Sequence, residues 1–136
     1  MLCDLTDLYV KQRELDEEIA RNHNVTYEST RNKRTLSLLV ELGEFANSTR
    51  TFKYWSNKGP SEKAVVMDEY ADGLHFLLSL GIPLHARKYK YEIKGTGEDL
   101  TLQFHHLYQL ILLLFLHLQQ TNIDYSINTY RTKVEY

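Results

Sequence analysis

Apolar residues recur along most of this chain at intervals of three and four, the spacing that lines one side of an α-helix. Only two prolines and six glycines interrupt the pattern. A first helix is expected over residues 5–21, with Leu8, Leu15 and Ile19 as its buried stripe and Gln12 set among them. A polar link over 22–30 leads to a second helix ending near Phe52. The segment Ser56-Asn57-Lys58-Gly59-Pro60 breaks the chain, and Ser61 has the short hydroxyl side chain that suits the N-cap of a third helix. That helix runs to about Leu80, before Gly81 and Pro83. Residues 84–99 are basic and then glycine-containing, which suits an extended connection. A fourth helix is expected over 101–120, and a fifth from Ile123 or Asp124 to Tyr136. The expectation is therefore an all-α bundle of about five helices, folded as one domain over residues 1–136.

Against this background two carboxylate pairs stand out, Glu41 with Glu44 and Glu69 with Asp72. Residues three apart on a helix point to nearly the same side, so each pair presents two oxygen ligands in one direction. If the two helices face each other, four acids converge, which suits a hard, oxygen-seeking cation such as magnesium, with manganese as the alternative. One E-x-x-E alone is ordinary solvated surface. On the second helix, however, Ser37, Glu41, Glu44 and Ser48 form a narrow strip without lysine or arginine, while Leu36, Leu38, Leu39, Val40, Leu42, Phe45 and Ala46 fill most of the remaining circumference. Acids placed so need a cation or protons to offset desolvation and mutual repulsion. Asp72-x-x-His75 invites a di-iron reading as well, but the second helix has no histidine to complete that set.

Composition narrows the partners. Hydrophobic content of 43% and charged content of 25% place the chain with soluble globular domains. A net charge of −2 gives no electrostatic case for a nucleic-acid polymer. Cys3 is the only cysteine, which excludes an internal disulfide and a thiolate metal cluster. The first ten residues carry acids where a signal peptide carries positive charge, and the apolar run 107–118 is about half a bilayer span, so the expectation is a cytoplasmic protein with that run as a buried helix and no membrane partner. Phe52-Lys53-Tyr54-Trp55 follows the second helix, where an indole can stack on a nucleobase or simply cap the core. Gln12 reads as a helix-edge amide that needs partners, and Arg87, Lys88, Lys90 and Lys94 as a solvated basic loop.

The stretches Leu39-Val-Glu-Leu-Gly-Glu-Phe-Ala-Asn47, Phe52-Lys-Tyr-Trp-Ser56 and Asp68-Glu-Tyr-Ala-Asp-Gly-Leu-His-Phe-Leu-Leu-Ser-Leu-Gly81 together resemble the dimeric all-α dUTPases. These enzymes belong with MazG-like proteins and dCTP pyrophosphatases in the all-α nucleotide pyrophosphohydrolase group. The segment Leu8-Tyr-Val-Lys-Gln-Arg-Glu-Leu-Asp-Glu-Glu-Ile19 is similar to the first helix of the bacterial and phage branch. The resemblance is good over residues 5–84 and loose beyond. It implies magnesium held by Glu41, Glu44, Glu69 and Asp72, with Glu41 orienting or deprotonating the attacking water. It implies cleavage of dUTP, and often dUDP, to dUMP by a homodimer with sites near the subunit interface. Gln12, Trp55 and Phe76 would hold the uracil, Asp16 would lie near the sugar, and Lys53 would meet a phosphate. The apolar fourth helix would suit the partner surface. Some phage members engage repressor proteins, so a regulatory protein partner is implied by resemblance alone.

The C-terminus departs from the pattern. The family carries Tyr-x-x-Lys-Asn and then further Asn, Arg and Tyr residues that close over the nucleotide. Tyr130 and Lys133 fit, Val134 replaces the asparagine, and the sequence given stops at Tyr136, so the expectation is a shortened closing segment in which Lys133 lacks those companions. Two alternatives therefore stay open: a relative with another base preference, such as dCTP, and a nucleotide-sensing or interaction module with weak turnover.

Overall fold

The computed structural model describes residues 1–84 and 89–134, with side chains through residue 119. Four α-helices carry the fold: α1 (Thr6–His23), α2 (Arg31–Thr49), α3 (Lys63–Gly81) and α4 (Leu100–Val134). Two short strands, β1 (Leu2–Asp4) and β2 (Lys90–Glu92), pair antiparallel with Cys3 opposite Tyr91. The protein is thus all-α, with a two-stranded clip joining its N-terminus to the expected extended connection.

The helix ends follow from local chemistry. Asp4 Oδ1 accepts from the Thr6 amide at 3.0 Å and the Thr6 hydroxyl at 2.6 Å, turning the chain into α1. Asn24 closes α1 and Arg50 closes α2 in the left-handed region, at φ 50° and 57°, each donating its amide back to the last turn. The Arg50 guanidinium then binds Ser56 Oγ at 2.7 Å and the Lys58 carbonyl at 3.2 Å, pinning the link between α2 and α3. Ser61 is not the N-cap of α3. Its amide donates to the Ser48 carbonyl at 2.9 Å, and the helix begins at Lys63 after Glu62, without a side-chain cap.

Helices α2 and α3 form the central hairpin, with α1 laid on α3 and α4 on α2. Leu38, Leu42, Leu78, Leu80 and Phe104 are the buried apolar core. Phe45 meets Phe104 edge-on with ring centroids 5.3 Å apart, and the Tyr108 hydroxyl donates to the Leu39 carbonyl at 3.0 Å. At the other face Gly81 lets α3 pass Tyr9, since a Cβ there would stand 2.7 Å from the Tyr9 hydroxyl.

Three expectations are corrected here. The fourth and fifth helices are one, because the stretch around Thr121 and Asn122 holds neither glycine nor proline and costs a helix only tenths of a kcal/mol per residue. On α1 the residue buried is Gln12, while Leu8, Leu15 and Ile19 stay substantially exposed, Leu15 and Ile19 because they border an open cleft. Finally, α4 is not a buried core helix. Residues Leu100–Gln119 are long and apolar enough to cross a membrane, yet Leu102, Leu107, Leu110, Leu112, Leu113 and Leu116 all remain exposed in the protomer.

Candidate active site

The close packing of α2 on α3 places the two acid pairs face to face, with Gly73 of α3 beside the Glu41 Cβ. Glu41, Glu69 and Asp72 each bring one carboxylate oxygen within 4.8 Å of the others. Glu44, exposed at the rim, stands close enough to both glutamates of this trio to repel them. Glu41 Oε2 is buried and has no hydrogen-bond partner among the described residues. Partial burial pushes the Glu41 carboxyl above the usual range, followed by the charges of Glu44, Asp72 and Glu69. Partial burial likewise raises Glu69, with Glu44 and Asp72 adding to it. Among the described residues, no lysine or arginine forms an ion pair with any of the three. Converging carboxylates with an unpartnered buried oxygen are a donor set that fits a hard divalent cation.

One turn further along α3, the same helix faces α1. A cleft of about 210 Å³ opens there, lined by Gln12, Leu15, Asp16, Ile19, His75 and Phe76 among others. Polar side chains at its base are linked by hydrogen bonds. Gln12 Nε2 donates to Asp16 Oδ1 at 3.0 Å, and Gln12 Oε1 lies 2.7 Å from His75 Nδ1. The Ser79 hydroxyl donates to Asp16 Oδ2 at 2.8 Å and accepts from Arg34 Nη1 at 3.1 Å. Arg34 stacks 3.7 Å above the Tyr27 ring, and the Tyr27 hydroxyl donates to the Ser79 carbonyl. The cleft is below the roughly 300–1,000 Å³ of drug-sized pockets, which suits a single ring rather than a whole cofactor.

The structure therefore brings Gln12, Asp16 and Phe76 into one cleft and Glu41, Glu69 and Asp72 into one cluster, adjacent along α3. Lys53 and Trp55 do not line that cleft. Trp55 is 65% exposed and packs edge-on against Phe52 and Tyr54, while Lys53 Nζ lies 5.8 Å from the Phe52 ring centre. The side chain of Lys133 lies outside the described residues, as do Arg87 and Lys88. Sequence reasoning gave no role to Arg34, Tyr27 or Ser79. The available signal was the matched four-residue spacing of Gln12 and Asp16 on α1 with His75 and Ser79 on α3.

A helical bundle with a carboxylate cluster beside a ring-sized cleft fits the class of all-α hydrolases that act on nucleotides. A family model described as dUTPase matches residues 4–135, nearly the whole chain, and the chain belongs to that family. The protein is accordingly an enzyme of dUTP hydrolysis. No curated protein and no solved structure matches it.

Proposed function

We propose that this enzyme converts dUTP, and dUDP, to dUMP in a magnesium-dependent reaction, with manganese able to substitute. The observation that carries the reading is the buried, unpartnered Glu41 Oε2 at the meeting point of Glu69 and Asp72. In this reading Glu41, Glu69 and Asp72 hold the metal, and Glu44 completes or adjusts the set from the rim. When bound, magnesium supplies positive charge beside the phosphate oxygens and lowers the pKa of nearby water. Glu41 accepts the proton as water oxygen attacks phosphorus. The phosphoanhydride bond between the first two phosphates breaks, and pyrophosphate leaves from dUTP or phosphate from dUDP.

The uracil occupies the α1–α3 cleft against Phe76 and Gln12, with Asp16 toward the sugar. Lys53, Trp55 and Lys133 are assigned nucleotide contacts in the assembled enzyme, a cytoplasmic homodimer. The second copy covers the apolar groove of about 400 Å³ between α2, α3 and α4, lined by Leu38, Leu42, Leu77, Leu110 and Leu114 among others. An exposed apolar surface of this kind favours association. A direct test is pyrophosphate release from dUTP with magnesium, with and without chelator. Chelator-sensitive turnover supports the reading. Magnesium-dependent dUTP binding without turnover would replace it with a sensing role.

A further inference from the structure

The cleft contains a hydrogen-bond chain whose directions are all determined. Arg34 only donates and an aspartate carboxylate only accepts. Arg34 Nη1 donates to Ser79 Oγ, so the Ser79 hydroxyl hydrogen is free to go to Asp16 Oδ2. The other Asp16 oxygen can take only an N–H, so the Gln12 atom facing it must be Nε2. Gln12 Oε1 then faces His75, and the 2.7 Å contact requires the hydrogen on His75 Nδ1. Arg34 Nε donates to Thr30 Oγ1 at 3.1 Å and Nη2 to the Tyr27 carbonyl at 2.6 Å, so the origin of the chain is itself fixed. Gln12 and Ser79 are 5% and 1% exposed, and water has little access to reverse either group.

This leaves Gln12 with one N–H and one oxygen lone pair to offer a ligand, in a single spatial order. Uracil presents N3–H and then a carbonyl oxygen along its N3–C4 edge. Cytosine presents a lone pair and then an amino group. An amide matches either edge, but only in opposite orientations. The acid cluster one turn away sets which way a nucleotide lies along α3, so the base cannot turn over to suit the amide. We propose that Arg34, Ser79, Asp16 and His75 form a positioning chain that locks the Gln12 amide in one orientation and thereby selects uracil over cytosine.

The proposal rests on the functional reading above, and its test keeps the two apart. The kcat/KM ratio of dUTP to dCTP is measured for the wild type and for Asp16→Asn, whose amide can donate or accept and so frees Gln12 to turn. Hydrogen-bonding sites discriminate strongly through groups left unpaired, so the ratio is expected to fall by about tenfold or more. A wild type without preference, or a variant with an unchanged ratio, overturns the proposal even if dUTP turnover is intact. If neither nucleotide is turned over, the functional reading fails, and the affinity ratio of dUMP to dCMP in the two proteins decides the proposal by itself. Should Asp16→Asn not fold, nitrogen NMR of His75 in the wild type settles the chain. The Nδ1–H tautomer is expected, and an Nε2–H tautomer refutes the locked direction.

Discussion

Replacing Glu41 by glutamine should move two properties in opposite directions. In the metal-free protein the Glu41 carboxylate sits within 4.8 Å of an Asp72 oxygen, with no ion-paired lysine or arginine among the described residues. Two unit charges at that separation repel by about 0.9 kcal/mol at the dielectric of water and about 3.5 kcal/mol at an effective value near 20. Because Asp72 is exposed, the screened figure is the appropriate one. The neutral amide can in addition donate to a neighbouring carboxylate, where Glu41 Oε2 has no partner. Glu41→Gln should therefore stabilise the metal-free protein by about 1 kcal/mol, roughly 3–4 °C in Tm for a chain of this size. Saturating magnesium is expected to stabilise the wild type by about 2.7 kcal/mol at a hundred times its dissociation constant, roughly 9 °C, and the variant hardly at all. Thermal melts with chelator and with magnesium, paired with a dUTP turnover assay, read all three quantities. A lower Tm for the metal-free variant would mark Glu41 as a structural residue. An undiminished magnesium shift would remove it from the metal site.

Further predictions follow the same physics. Glu41 and Glu69 are raised above their ordinary value of 4.5 in the fold, so the folded state retains protons that the unfolded chain has released. Stability of the metal-free protein should then decline as pH rises from that value through the raised ones, a slope that magnesium or Glu41→Gln reduces in pH-resolved melts. Asp4 is lowered by its bonds to Thr6 and acts with the opposite sign, but only below its ordinary 3.8. Gly81→Ala sets a methyl 2.7 Å from the Tyr9 hydroxyl, whose ring is packed edge-on against Tyr89, and should cost about 1–3 kcal/mol in denaturant unfolding. Leu110→Glu alters a side chain that is 63% exposed in the protomer. If the proposed dimer forms through this groove, the variant should sediment as a monomer with helicity unchanged, and an unmoved sedimentation profile would refute the proposed contact.

How much of this was legible depends on how local the information is. The meeting of Glu41 with Glu69 and Asp72 follows from a three-residue spacing repeated on two consecutive helices, and a hairpin brings consecutive helices together. Periodicity identified the apolar side of α1 but not what borders it, so Leu8, Leu15 and Ile19 were expected in a packed core and instead stay exposed. Ser61 has the right side chain for a cap, yet its backbone is held by Ser48, thirteen positions earlier. The same limit hid Arg34. As one cation on a helix it is ordinary, and only the approach of Tyr27 and Ser79 gives it work. Thr121 and Asn122 are weak helix formers but not breakers, which is why α4 continues through them.

Helix α3 contributes Glu69 and Asp72 to the acid cluster and His75, Phe76 and Ser79 to the cleft, without a break between them. The helix thus acts as a ruler. The rise from Asp72 to Phe76 is about 6 Å, set by backbone hydrogen bonds rather than by any loop. Under the proposed function, point substitutions at His75 or Phe76 should retune base recognition without displacing the acids. A single residue inserted between Asp72 and His75 would instead turn one half about 100° away from the other. The spacing within this one turn is thus as much a part of the chemistry as the side chains it carries.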